Sequence, residues 1–280
     1  MDGRKIALVT GGSSGIGMGI ALELAGKGYD IAFTYRKNAG GASAVQAQIE
    51  ALGAQCCAYQ ISLEALEGCA ALVDRVRADF GRIDAMVCNA ASDRRMSILT
   101  ATPEDLISGA SQLYAAQMLL AGAAARHMVK DGVHGAILFI TSVHGQMPTT
   151  NDFLYGGMKA AIERSCQSLA LELSPYRIRV NCVAPGAINV RHLDDAQRKY
   201  PYSTMVPLGR WGVEADIGHA AAFLLSDAAD YITGETLRVD GGFALPGVPE
   251  GWAEPHPVDQ NFVRNAYEQM LKREEETDNG

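Results

Sequence analysis

Tyr155 and Lys159 stand four residues apart, and a serine, Ser142, lies thirteen residues before the tyrosine. Four residues is about one turn of α-helix, so the phenol and the ammonium share a face. A free tyrosine loses its proton near pH ~10, and a neighbouring cation favours the phenolate and lowers that value. A tyrosine so placed exchanges a proton with a carbonyl or alcohol oxygen near neutral pH. Ser142, at the end of an apolar run, is placed to hydrogen-bond the same oxygen.

A second candidate lies at the other end of the chain. Thr10-Gly11-Gly12-Ser13-Ser14-Gly15-Ile16-Gly17 follows the apolar run Ile6–Thr10 and opens a helical pattern. Glycines allow a tight turn and close approach of a pyrophosphate, and the helix N-terminus adds free N–H groups and a positive dipole end. The spacing is Gly-x-x-x-Gly-x-Gly, and no Gly-Lys-Ser/Thr follows, which argues against a mononucleotide P-loop. The next apolar run ends Thr34-Tyr35-Arg36-Lys37. An acidic residue there would suit a ribose 2′-hydroxyl; two bases suit a 2′-phosphate, so NADP(H) is favoured over NAD(H). The other reading of Arg36 and Lys37 is a solvated strand end.

These residues need a scaffold, and the rest of the chain supplies its pattern. Strand-like runs are expected at Ile6–Thr10, Ile31–Tyr35, Cys56–Gln60, Ala85–Cys88, Ala136–Thr141, Arg179–Val183 and Thr236–Val239. Helical segments are expected at Gly15–Ala25, Ala42–Leu52, Leu66–Phe80, Pro103–Val129, Tyr155–Leu173 and Glu214–Leu225. Strict alternation implies right-handed crossovers and an α/β fold: a Rossmann-type, doubly wound parallel sheet with helices on both faces. The strands read as continuous apolar runs, as burial on both faces demands. Residues 1–245 form one dinucleotide-binding domain that includes the catalytic site. Residues 246–280 form an extension broken by Pro246, Pro249, Pro255 and Pro257, with a short amphipathic helix over Asn261–Arg273. It packs on the domain or a neighbouring subunit, or flaps near the substrate.

Composition narrows the function further. The formal net charge is −8 with no basic run, which disfavours nucleic acid and anionic membrane surfaces. No apolar run reaches the ~18 residues of a membrane span, and Met1–Lys5 does not read as a signal peptide. The six cysteines (56, 57, 69, 88, 166 and 182) show no metal spacing; they read as free thiols in a reducing compartment, and the expected location is cytoplasmic. No metal site is expected among the six histidines.

Taken together, Thr10–Gly17, Asn89-Ala90, Thr141-Ser142, Tyr155-x-x-x-Lys159, Arg177–Asn181, Pro185-Gly186 and Val239–Gly242 resemble the short-chain dehydrogenase/reductase family, across about residues 4–245. Ser142–His144, Pro185–Asn189 and Tyr231–Gly234 are most similar to its glucose 1-dehydrogenase and 3-oxoacyl-carrier-protein reductase branches. The resemblance implies Tyr155 as acid/base, Ser142 as orienter of the substrate oxygen, and Lys159 as binder of the nicotinamide ribose that also tunes Tyr155. It implies a cofactor site of Gly11, Ser13, Ser14, Gly15, Ile16, Gly17, Tyr35, Arg36, Gln60, Ile61, Asn89, Ala90, Pro185, Gly186 and Ile188, together with Tyr155 and Lys159, and a homotetramer. The polar segment Val190–Trp211 would lie beyond the strand ends as a lid, with Tyr202 and Met205 as substrate contacts beside His144.

Four positions depart from the family pattern. Ala91 replaces a glycine, Gln60 an aspartate, Leu113 the asparagine that usually completes the proton path, and Val190 a threonine. The expected activity is interconversion of a ketone or aldehyde and an alcohol, on a small-molecule or acyl-thioester substrate. The alternatives are reduction of an enoyl thioester, or cofactor binding with little turnover.

Overall fold

The computed structural model describes residues 3–91, 95–194, 205–245, 267–272 and 274. Seven strands form one parallel sheet: β1 (Lys5–Val9), β2 (Tyr29–Tyr35), β3 (Cys56–Gln60), β4 (Ala85–Cys88), β5 (Ala136–Ile140), β6 (Arg179–Pro185) and β7 (Thr236–Val239). Their order is β3-β2-β1-β4-β5-β6-β7. The winding reverses between β1 and β4, and the crevice at such a reversal is where this class of sheet receives ligands.

Helices cover both faces. Successive strand residues point to opposite sides, so each strand feeds two cores. Leu8, Met86, Cys88, Ile137, Phe139, Val180 and Cys182 pack under α3 (Gly68–Phe80), α5 (Ala116–Asp131) and α6 (Phe153–Leu173). Val9, Ile31, Phe33, Val87, Leu138 and Val183 pack under α1 (Gly15–Gly26), α2 (Ala39–Ala51) and α7 (Glu214–Leu225). Burial on both faces is why β1, β4 and β5 are uninterrupted apolar runs. Strand β7 is one of the two sheet edges, and its Leu237 and Arg238 are exposed. Helices α1 and α7 touch through glycines. A Cβ on Gly218 would lie 2.8 Å from the Gly19 carbonyl oxygen.

The segment expected as one helix over Pro103–Val129 is not continuous. It runs as α4 (Pro103–Ala110), a π-turn (Ser111–Ala115) and then α5. The Ala116 N–H donates to the Ser111 carbonyl, five residues back. Helix α4 starts sharply: Thr102 accepts from the Asp105 N–H at 3.2 Å while the Asp105 side chain accepts from the Thr102 N–H at 3.3 Å, with Pro103 at the first helical position.

Of the extension beyond residue 245, residues 267–272 and 274 are described and helical, with Tyr267 and Leu271 exposed. Among the described residues, no helix is long and apolar enough to cross a membrane. All six cysteines are free thiols, and all but Cys57 are buried.

Candidate active site

The start of the glycine-rich turn is tied down by two threonines. Thr10 Oγ1 accepts the N–H groups of Asn89 (2.9 Å) and Ala90 (3.0 Å), and the Asn89 amide donates to the Thr10 carbonyl at 2.8 Å. Thr34 Oγ1 accepts the Gly11 N–H at 3.0 Å. The ends of β1, β2 and β4 are thereby locked around residues 11–17. A Cβ on Gly17 would lie 2.3 Å from the Gly11 carbonyl oxygen and 2.6 Å from the Asn89 amide nitrogen. The turn is therefore folded back on its own helix, in the manner that opens a helix N-terminus to a pyrophosphate. Gly15 faces Val190, which stands 3.4 Å from the position a Cβ would take. Ala91, in place of a glycine, is exposed. Ile188 bridges to Gly212, and Gly186 lies so close to Asp240 that a Cβ would come within 2.5 Å of its Cβ. The residues fit a dinucleotide cradle built of close backbone approaches.

Beside the cradle, a cavity of about 490 Å³ is lined by Arg36, Lys37, Gln60, Ile61, Ser62 and Glu64. Gln60 donates to the Arg36 carbonyl at 3.1 Å. Glu64 accepts both from the Arg36 guanidinium at 3.1 Å and from Gln112 at 2.7 Å. Arg36 is thus already paired on the surface, and Lys37 is exposed next to it.

Ser142 follows β5 and caps a short turn, Val143–Gly145, accepting the His144 N–H on its Oγ at 3.2 Å. Tyr155 and Lys159 sit in the first two turns of α6. Lys159 is 1% exposed; its ammonium donates to the Ile140 carbonyl at 2.7 Å and lies 5.5 Å from the centroid of the Tyr155 ring. Burial pulls its pKa down to about 8, against the weaker opposing pull of Cys182, Cys88 and Glu163. The fold therefore brings Ser142, Tyr155 and Lys159 to the end of β5, one strand from the β1–β4 reversal. His144 adjoins them, its ring edge-on to Tyr155 with centroids 6.5 Å apart.

Leu113, in the π-turn, is fully buried and apolar. One turn on, Gln117 is equally buried; its amide donates to the Ala90 carbonyl at 3.4 Å, and its Oε1 has no hydrogen-bond partner among the described residues. Met205 is half-buried, and Tyr202 lies outside the described residues, as do 195–204. The described residues hold no cluster of three or more metal-ligating side chains.

Sequence reasoning quoted Thr10 and Thr34 within their motifs without giving them a role, and it did not single out Gln117 or Asp152. For the threonines the signal was available, because each ends a strand beside the glycine turn. For Gln117 and Asp152 it was not, since only the packed structure shows that these polar side chains are buried.

A family model described as enoyl-(acyl carrier protein) reductase matches residues 11–244. The chain belongs to the short-chain dehydrogenase/reductase family. It is accordingly an NAD(P)-dependent oxidoreductase. It is 35% identical to 1-cyclohexenylcarbonyl-CoA reductase of Streptomyces collinus, over 89% of this chain and 90% of that one. It is also 35% identical to the 3-oxoacyl-acyl-carrier-protein reductase FabG of Staphylococcus aureus, over 88% and 100%. Among solved structures it resembles acetoin dehydrogenase from Enterobacter cloacae, with a TM-score of 0.84, 34% identity, and coverage of 91% and 100%.

Proposed function

We propose that this oxidoreductase interconverts a ketone or aldehyde and an alcohol, with Tyr155 as the proton donor and acceptor. The observation that carries the reading is the Lys159 ammonium held 5.5 Å from the Tyr155 ring centroid at the end of β5, with Ser142 on the same strand end. A bound nicotinamide supplies or receives the hydride. Ser142 Oγ orients the substrate oxygen, and Tyr155 gives it a proton in reduction or takes one in oxidation. The Lys159 charge stabilises the phenolate left behind. Residues 11–17, with Asn89 and Ala90 behind them, hold the pyrophosphate side of the cofactor; Gln60 and Ile61 lie at its adenine end, and Tyr155 and Lys159 at its nicotinamide end. Pro185, Gly186 and Ile188 close over the cofactor. The substrate is a small molecule or an acyl thioester, and the working form is a homotetramer in the cytoplasm. Residues 1–245 are the catalytic domain and 246–280 a packing extension.

Tyr155→Phe removes the phenolic hydroxyl and keeps the ring. Turnover should fall at least ~100-fold, the scale of general acid–base catalysis, with NADPH affinity nearly intact. Unchanged turnover would sink the assignment.

NADPH is favoured over NADH because two bases, Arg36 and Lys37, follow β2, no acidic residue ends that strand, and bases suit a 2′-phosphate. Arg36→Ala should weaken NADPH about tenfold or more, as loss of a charge-assisted contact costs ~1.5–3 kcal/mol, and should leave NADH almost unchanged. Equal losses for the two cofactors refute the role.

A second reading is reduction of an enoyl thioester, supported by the description of the matching family model and by the name of the Streptomyces relative. NADPH consumption with acetoin, a 3-oxoacyl thioester and a 2-enoyl thioester separates the two. Turnover of the enoyl thioester alone favours the second.

A further inference from the structure

Beside α6 lies a cavity of about 730 Å³, lined in part by Ser97, His144, Asn151, Asp152 and Gly156. Neither Ser142 nor Tyr155 lines it, yet His144 meets both: its backbone N–H donates to Ser142 Oγ, and its ring lies edge-on to that of Tyr155. His144 is therefore next to both the proposed acid/base and the cavity. We propose that His144, held by Asp152, is the proton-delivery residue that recharges Tyr155 from this cavity. The inference rests on the Tyr155 role proposed above.

Asp152 precedes α6 and is 3% exposed, while the His144 side chain keeps 20% of its surface accessible. His144 Nδ1 lies 3.3 Å from Asp152 Oδ2. A carboxylate buried at this distance balances the charge of the imidazolium formed as a proton passes. Packing enforces the pairing. A Cβ on Gly156 would lie 2.7 Å from the His144 carbonyl oxygen and 3.0 Å from Asp152 Oδ2, so the first turn of α6 closes on the pair only because that residue is glycine.

The surrounding charges leave this path open. Lys159 lies at the Tyr155 ring and is bonded to the Ile140 carbonyl. Glu163, on α6, faces the same turn and accepts from Thr141 at 3.0 Å and Gln146 at 2.9 Å. Among the described residues, Arg95 is the basic one beside Met96, whose N–H donates to the Asn151 carbonyl at 2.9 Å. Leu113 contributes no polar atom from its side chain. Among the described residues, His144 is the titratable side chain that meets the Tyr155 ring and lines the cavity.

The balance in the reductive direction is simple. The Tyr155 O–H bond breaks and its proton passes to the substrate oxygen. The imidazolium then loses a proton to the phenolate, through one water between the two rings, whose centroids are 6.5 Å apart, and regains one from solvent in the cavity. Oxidation runs the same transfers backwards.

The test uses the full chain with NADPH and whichever ketone of the panel above turns over fastest. His144→Phe should lower kcat about 10- to 100-fold while the NADPH dissociation constant stays within twofold. Added imidazole should restore turnover in that variant and not in Tyr155→Phe. The first turnover, in which Tyr155 already carries its proton, should remain fast. Asp152→Asn should lower kcat with KM unchanged and displace the pH profile of kcat. His144→Gln serves the same measurements if the phenylalanine variant does not fold. A His144 variant as active as wild type from pH 6 to 9 overturns the inference, as does a slowed enzyme whose first turnover is equally slow and which imidazole does not rescue. Should Tyr155→Phe be inactive while His144 variants are normal, the delivery role alone fails; should Tyr155→Phe be active, the proposed acid/base itself fails.

Discussion

Lys159 should make the protein less stable than a neutral residue would, and the penalty should have a defined pH window. Its pKa is about 8 in the fold against 10.5 when exposed. At pH 7 that difference of about 2.5 units corresponds to ~3 kcal/mol of unfavourable burial. The sign follows from linkage. Below pH 8 both folded and unfolded chains carry the proton, and the full penalty applies. Between pH 8 and 10.5 the folded chain sheds its proton first, so stability rises with pH; above 10.5 the penalty is gone. Lys159→Met keeps the length of the side chain and removes the charge, though it also leaves the Ile140 carbonyl without its 2.7 Å partner, a loss of ~1 kcal/mol. The variant should therefore be about 2 kcal/mol more stable than wild type at pH 7, and inactive. The advantage should shrink by about 2 kcal/mol by pH 9.5, from the same two pKa values. Urea denaturation at fixed protomer concentration, run on both proteins at pH 7 and 9.5, measures it; titrations shared by the two cancel. A stability difference that is flat with pH, or a destabilised variant at pH 7, would refute the reasoning.

Two further outcomes follow from packing. Gly17→Ala places a methyl 2.3 Å from the Gly11 carbonyl oxygen; it should destabilise the fold by ~1–3 kcal/mol and weaken NADPH binding more than tenfold, read by calorimetry. Leu113→Ala empties a fully buried site and should cost ~2–5 kcal/mol, visible as a lower denaturation midpoint.

Strands β3, β4 and β7 and helix α7 have the bounds expected from the apolar pattern, and the other strands differ by at most two residues at an end. Period and composition are local signals, and these elements obey them. The site was legible for the same reason: Ser142, Tyr155 and Lys159 sit at element ends fixed by that pattern. What escaped depends on three-dimensional neighbours. The π-turn at Ser111–Ala115 carries no breaker residue, since every residue in it is compatible with α-helix. The exposure of Leu237 follows from the place of β7 at the sheet edge, which an apolar residue type does not announce. The burial of Asp152 follows from Gly156 drawing α6 onto the turn after Ser142, and polar residues at a helix start ordinarily face water.

The wide turn at Ser111–Ala115 has a mechanical meaning. A residue added to a helix without lengthening its repeat acts as a splice between two rods of different phase. The front rod is set by α6, where Gly109 sits so close to Leu154 that a Cβ would come within 2.4 Å of its Cδ2. The rear rod is set by the sheet, where Ala116, Leu120 and Ala124 are buried. Removing one residue from the splice would turn the front rod by about 100° relative to the rear, carrying Gly109 off Leu154 and α4 away from the start of α6. Chain length between β4 and α5 is thus a dial on the alignment of Tyr155, and a deletion there would detune the site without touching any residue in it.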